Sequence, residues 1–531
     1  MGKKDKKAKK GKGAEKTAAK TEKKLSAKQK KELAAIGEDD IESIVAQIEA
    51  EERKRREVVE QVVGPPSRRV NFTIAAHPEK EELVLFGGEY FNGQTIALFN
   101  DFYIYNIPRN EWKILKAPSG PPPRSGHQMV SVATNKGQLW VLGGEYASPS
   151  QSQFYHYKDL WVYHMATKQW EKIDATGGPS ARSGHRMVCV KKHLIVFGGF
   201  HDNLVNCKYY NDVYAFDLEN YKWKKIVPSG APPAARSGCQ MIPLADGKVL
   251  ISGGYSKERV KKDVEKGIVH TDMFLLSPEK HDETLTKWKW QPIKQGGIRM
   301  TPRSGMPIAV GPNNRAYAFG GTFDTDEDEE NISGNFFNDF YVLDTEKFSW
   351  RTVTLSGKRD TNVVKKKRRK AKEGDDMDCD DAGDGSGDEG SQDGMEVETP
   401  EITTISDDGV FKVTMGPALS NSTTTGSTEN GSSPVVFMPS PRMSCGLVVK
   451  HGVLYLFGGM KEDGDRQFTF NDFYSLDLHK LDEWKVLIPN DQNEEWLASS
   501  DSEGEDSDGS ESGSDSEDDD DDDDDDEMDV E

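Results

Sequence analysis

The feature that most constrains this chain is a repeat. From Ala181 to Trp223 the sequence runs A-R-S-G-H-R-M-V-C-V, then H-L-I-V-F-G-G, then N-D-V-Y-A-F-D, with a tryptophan six residues later. Apolar runs at Met187 to Val190, Leu194 to Phe197 and Val213 to Phe216 are separated by turn residues, and a fourth opens at Trp223. Short runs rich in β-branched and aromatic residues predict strands rather than helices. Gly198-Gly199 ends the second strand, where a residue without Cβ lets the chain turn sharply or lie against a neighbour. Asn211-Asp212 suits the following turn, because short polar side chains bond nearby backbone groups. The unit is one four-stranded antiparallel sheet.

The unit recurs. Double glycines stand at Gly87-Gly88, Gly143-Gly144, Gly198-Gly199, Gly253-Gly254, Gly320-Gly321 and Gly458-Gly459. Each is followed by a turn aspartate: Asp101, Asp159, Asp212, Asp272, Asp339 and Asp472. Each unit closes near a tryptophan, at Trp112, Trp170, Trp223, Trp288 or Trp290, Trp350 and Trp484. This signature, at a period of roughly 50 residues, resembles the kelch repeat, whose units form the blades of β-propellers. A single blade cannot bury both faces of its sheet, so blades close into a ring. The expectation is an all-β protein with a six-bladed kelch β-propeller, blades one to five over 66–356 and blade six over 436–490.

The regions outside the repeats differ in charge. The head, 1–38, carries 14 lysines before residue 32, and its composition predicts disorder. Residues 39–63 predict an amphipathic helix, with Asp39 or Asp40 as cap and a stripe of Ile41, Ile44, Val45 and Ile48. Residues 357–435 break the period with a basic cluster, Lys365 to Lys370, an acidic run and Ser/Thr/Gly-rich text. They read as a disordered insertion between blades five and six. The tail, 491–531, is expected to be disordered as well; residues 501–531 hold 20 acidic residues and no basic one, nearly accounting for the net charge of −22. Ser500, Ser502, Ser512, Ser514 and Ser516 each have Asp or Glu three residues on, and are candidate phosphorylation sites. In a four-stranded blade the loop joining strands two and three shares a face with the link to the next blade. The Lys-rich excursion of blade four (Ser256 to Gly267), the acidic loop of blade five (Asp324 to Glu330) and the large insertion therefore crowd one face.

Five scattered cysteines without C-x-x-C spacing argue against a zinc site or a disulfide framework and suit a reducing compartment, cytoplasmic or nuclear. No apolar run is long enough for a membrane-spanning helix, so no membrane partner is expected. P-loop, H-E-x-x-H and G-x-S-x-G motifs are missing, and the expectation is a monomer with no enzymatic activity, no cofactor and no metal. No BTB-type or F-box-type module precedes the repeats, so a ubiquitin-ligase role is not implied by the resemblance, which points instead to an intracellular scaffold that binds other proteins. Arg124, Arg182, Arg236, Arg303 and Arg442 begin blades two to six, with Arg68 or Arg69 in blade one. They form a candidate binding rim for carboxylates or phosphates; alternatively, each bonds backbone or the turn aspartate of an adjacent strand. Tyr90, Phe91, Tyr146, Phe154 and Tyr155 are the aromatic part of that candidate site. His127 and His185 recur with the repeat and read as structural. RNA and basic proteins are the partners that the charged ends would suit, in ribonucleoprotein or ribosome assembly.

Overall fold

The computed structural model describes Ile41, Ile44 and Val45, residues 58–357 and residues 436–491, with short breaks at 118, 204–206, 262–263, 280–281, 283–286, 329–330 and 465. The basic head, the insertion with its Lys365 to Lys370 cluster, and the tail with its five serines lie outside the described residues.

The six repeats fold into six sheets whose four repeat strands run antiparallel, and in blade five Gly296–Gly297 adds a short parallel strand beside Ser349–Thr352. Blade one takes Thr73–Ala76, Glu82–Phe86, Phe102–Asn106 and Glu111–Lys116 from the channel outward. Blade three, the repeat that defines the pattern, takes Arg186–Val190, His193–Phe197, Val213–Asp217 and Lys222–Ile226. Register is set by the apolar alternation: Leu194 faces Phe216, and Phe216 faces Trp223 on the outer strand. Between the second and third strands every blade raises a two-stranded hairpin, from Glu89–Phe91 with Ile96–Leu98 in blade one to Met460–Asp463 with Arg466–Thr469 in blade six. The excursions of blades four and five are such hairpins, Tyr255–Lys261 with Val264–Val269 and Thr322–Asp328 with Asn331–Phe336.

The core lies between blades rather than within them. Phe86 and Phe102 of blade one pack with Tyr163 and Trp170 of blade two, and Phe319 and Phe340 of blade five pack with Leu456 and Trp484 of blade six. The ring closes where Phe72, Tyr105 and Trp112 meet Phe457 and Phe473. The four strands of each blade are consecutive in the chain, so closure rests on this packing and on bonds from Arg69, whose amide donates to the Phe470 carbonyl at 3.3 Å.

The inner strand of blade one begins at Thr73, and Val70 before it makes an isolated bridge to Glu89. One expectation needs correction. The helix expected over 39–63 is helical at Ile41, Ile44 and Val45, but Val59–Val63 is a strand, antiparallel to Glu111–Lys116 as a fifth strand of blade one. The physical reason is the edge that a blade leaves unpaired: a β-branched segment gains more by completing that ladder than by continuing a helix. Glu60 ties the strand down by accepting from Lys113 at 2.9 Å and from Lys168, and the bonds to these two ammonium groups, Lys168 first, hold its carboxyl down at about 2.

Candidate functional site

The six arginines are buried anchors, not a rim. In each blade Nε donates to the carbonyl two residues upstream, Nη1 reaches the carbonyl of the first glycine of the pair, and the guanidinium meets the turn aspartate. In blade two these contacts are Pro122 at 3.1 Å, Gly143 at 3.0 Å, and Asp159 at 2.8 and 3.0 Å. The same set recurs around Arg69, Arg182, Arg236, Arg303 and Arg442 with Asp101, Asp212, Asp272, Asp339 and Asp472. An aromatic ring two residues before the aspartate covers the guanidinium in five blades: Phe99, Tyr157, Tyr210, Phe337 and Phe470, at 3.9–4.2 Å. Donors already committed to carbonyls and a carboxylate are not offered to a ligand, and Arg303 alone of the six keeps its Nη2 off the carboxylate. The rim of Arg124, Arg182, Arg236, Arg303 and Arg442 is therefore corrected: these side chains fasten strand ends together, and Arg69 rather than Arg68 is the blade-one member.

The aromatic candidates do lie on the hairpins. Tyr90 and Phe91 stand on the hairpin of blade one, and Tyr146, Phe154 and Tyr155 on that of blade two, all partly exposed. Part of the blade-two patch is covered by the chain itself. Ile41 and Val45 pack on Tyr157, Tyr146 and Tyr155, and the Ile41 amide donates to Gln153 Oε1 at 3.1 Å. The helical start thus docks on the propeller, over residues that sequence reasoning had set aside for a partner.

His127 and His185 are buried beneath the double glycines of the preceding blades, and burial holds both rings well below the usual histidine range. Nearby, Ser183 Oγ lies 2.7 Å from His156 Nδ1 and 3.1 Å from Glu145 Oε2. This trio cannot activate the serine. His156 Nε2 accepts from the Asp202 amide at 3.0 Å, so Nδ1 carries the proton and donates to Ser183 rather than taking its proton. Burial, then the neighbouring Glu89, pushes the Glu145 carboxyl up to about 8.

The group that sequence reasoning missed is Arg186. It opens the inner strand of blade three and projects into the mouth of the central channel, a cavity of about 450 Å³ shared with Asn71, His127, Gln128, Gln240 and Met241. Its Nε donates to the Cys239 carbonyl at 2.6 Å and its Nη1 to the His185 carbonyl at 3.3 Å. No carboxylate pairs with it among the described residues, and burial lowers its pKa. The signal was available in the sequence: the other repeats carry Thr73, Gln128, Gln240, Pro307 and Gly446 at this position. Among the described residues no group of three His, Cys, Asp or Glu could hold a metal ion.

Comparison with known proteins agrees with this architecture. Residues 69–275 match the family described as "FBX42, beta-propeller domain". The chain is 25% identical over 301 residues to an N-(sulfonatooxy)prop-2-enimidothioate sulfolyase of Thlaspi arvense, covering 55% of this chain and 81% of that protein. It is 26% identical over 239 residues to Tip elongation aberrant protein 1 of Schizosaccharomyces pombe, covering 44% of this chain and 18% of that one. Host cell factor 2 of Homo sapiens is 25% identical over 256 residues, covering 46% and 29%. The similarity thus spans most of the sulfolyase but under a third of the other two. It marks the chain as a β-propeller protein with kelch-type relatives.

Proposed function

We propose that this chain is a non-enzymatic scaffold that binds other proteins through the hairpin-bearing face of its propeller. The observation that supports this reading best is Arg186. A guanidinium without a carboxylate, in a channel mouth furnished with amide side chains, suits an acidic side chain on a loop of a partner. The aromatic residues of the blade-one hairpin, Tyr90 and Phe91, extend that surface.

The layout of the whole chain supports a narrower reading. The Lys-rich start, the segment Glu38 to Glu42 and the Pro65-Pro66 entry into six repeats resemble kelch domain-containing protein 4. Oppositely charged ends favour a second role, in ribonucleoprotein or ribosome assembly, with RNA meeting the lysines and basic proteins the acidic tail. Phosphorylation of Ser500, Ser502, Ser512, Ser514 and Ser516 would add roughly 1.5 to 2 negative charges at each site.

The test is affinity capture with the full chain and with Arg186→Glu, each with and without nuclease. Nuclease-resistant partners that are lost on charge reversal support the scaffold reading. Partners released by nuclease favour the assembly role, and an unchanged nuclease-resistant set with Arg186→Glu removes the channel mouth from the interface.

A further inference from the structure

On the hairpin-bearing face, backbone hydrogen bonds fasten each blade to the next. The arginine amide donates backward to the residue two before the preceding turn aspartate, as Arg124 to Phe99 at 3.1 Å, Arg182 to Tyr157 at 3.1 Å and Arg236 to Tyr210 at 3.0 Å. The second glycine of the preceding pair donates forward to the arginine carbonyl, as Gly88 to Arg124 at 2.9 Å, Gly144 to Arg182 at 3.0 Å and Gly199 to Arg236 at 2.9 Å. Both bonds are also made between blades five and six and between six and one. Between blades four and five neither is made: the Arg303 amide does not reach the His270 carbonyl, nor the Gly254 amide the Arg303 carbonyl.

Steric crowding reports the same gap independently. A Cβ on the first glycine of the pair would stand 2.3–3.0 Å from the next arginine carbonyl in blades one, two, three, five and six, whereas at Gly253 its nearest neighbour is the blade's own His270 carbonyl at 3.6 Å. Blade four also departs from the pattern in sequence. Blades one, three, five and six read aromatic-Asn-Asp and blade two reads Tyr157-Lys158-Asp159, whereas this one reads His270-Thr271-Asp272. Asn211 and Asn338 donate to Pro233 and Pro439 in the following link at 3.2 and 3.3 Å, a bond that Thr271 has no amide to make. His270 turns instead to Ser256 Oγ at 2.9 Å.

The gap is a radial cleft of about 610 Å³, walled by Gly253-Gly254 and His270-Thr271 on one side and by the link from Lys294 to Met306 on the other. Its charged lining residues are Lys294, Arg299 and Arg303, without a carboxylate. Arg303 differs from its five counterparts. It holds Asp339 through Nη1 alone, at 2.9 Å, its Nη2 bonds neither the carboxylate nor a carbonyl, and at 7% it is the most exposed of the six.

We propose that the cleft between blades four and five binds an extended acidic peptide segment of a partner protein, which takes up the backbone bonds left open by Gly254, His270 and Arg303 and sets its carboxylates against Arg303, Lys294 and Arg299. Buried backbone donors and acceptors require partners, and an extended chain supplies both kinds along its length. Guanidinium and ammonium groups facing a cavity without acids fix the sign of the side chains it takes. The volume is that of an ordinary ligand site. This inference rests on the protein-binding reading and adds to it the class of ligand and a place distinct from the channel mouth.

The experiment measures fluorescence anisotropy of a labelled octapeptide of alternating Gly and Glu, and of its Gln counterpart. The proteins are the full chain, the chain truncated after Ser499, Thr271→Trp, the Lys294→Glu/Arg299→Glu double variant and Arg186→Glu. Thr271, Lys294 and Arg299 lie at the cleft and outside the arginine anchors, and thermal melting verifies that each variant folds. The Glu peptide is expected to bind and the Gln peptide not. Charge reversal at the two link residues is expected to weaken binding by about tenfold or more, Thr271→Trp to abolish it, and Arg186→Glu to leave it in place. Equal binding of both peptides, or an affinity unmoved by the cleft variants, overturns the proposal. Binding that appears only after truncation assigns the cleft to the chain's own tail and overturns the partner as occupant. A chain that captures partners through Arg186 but ignores the peptide overturns the cleft and leaves the scaffold reading standing.

Discussion

Replacing Asp472 by Asn tests whether the arginine anchors hold the propeller together. Arg442 and Asp472 are both fully buried, the guanidinium donating at 2.5 and 2.7 Å to the two carboxylate oxygens and at 2.9 Å to the Gly458 carbonyl. Tyr474 Oη also donates to Asp472, at 2.8 Å. Asparagine keeps the shape but removes the charge, leaving a buried cation without its counter-ion, a loss of about 3–5 kcal/mol. For a propeller of roughly 350 residues, whose unfolding entropy is about 0.7–0.8 kcal/mol/K, a loss near 4 kcal/mol lowers the melting temperature by about 5 °C. Asp272 provides the control. It makes the same bidentate contact with buried Arg236, but its side chain is 48% exposed, so water can compensate the guanidinium when the charge is removed. Asp272→Asn is expected to cost less than half as much. Calorimetry of the two variants side by side decides the matter. Equal losses would refute the argument that burial of the carboxylate sets the worth of each anchor.

Other perturbations follow from the same geometry. Because burial raises the Glu145 carboxyl from 4.5 to about 8, folding is penalised increasingly as pH rises through that window. Glu145→Gln is therefore expected to leave stability unchanged below the window and to raise it above, by at most about 1.4 kcal/mol for each unit of the rise; urea melts across pH measure this. Gly198→Ala places a Cβ 2.6 Å from the Arg236 carbonyl, whereas Gly253→Ala meets only open space and a carbonyl at 3.6 Å, and both have positive φ. The first is expected to cost about 3 kcal/mol or more and the second about 1–2 kcal/mol from backbone strain alone; equal melting shifts would argue against an open junction between blades four and five. Deleting residues 358–433 shortens the link between Gly357 and Val436 and is expected to change propeller stability by about 1 kcal/mol or less, since loop entropy varies slowly with length; a larger fall in melting temperature would place core residues in the insertion.

The number of blades, the four-stranded unit and the face that carries the connection between strands two and three are legible along the chain. Those features follow from signals repeated every few dozen residues: paired glycines with φ between 59° and 105°, an aspartate turn and a closing tryptophan. Repetition makes such local chemistry legible, since one blade read correctly is six blades read. It also placed an arginine and an aspartate in every unit, but their partnership spans 30 to 36 residues and is made only by folding. Tertiary structure alone decided the rest. Val59–Val63 became a strand because blade one offered an unpaired edge, a circumstance that no periodicity within the segment encodes. Arg186 became a cation without a carboxylate partner among the described residues because six inner strands converge on one channel and none brings a carboxylate to it. The fourth repeat's His270-Thr271 reads as a minor variant along the chain, yet in the ring it borders the junction at which the arginine and glycine backbone bonds are not made. The state of a junction is invisible in any one repeat, because it depends on contacts between residues that only ring closure brings together.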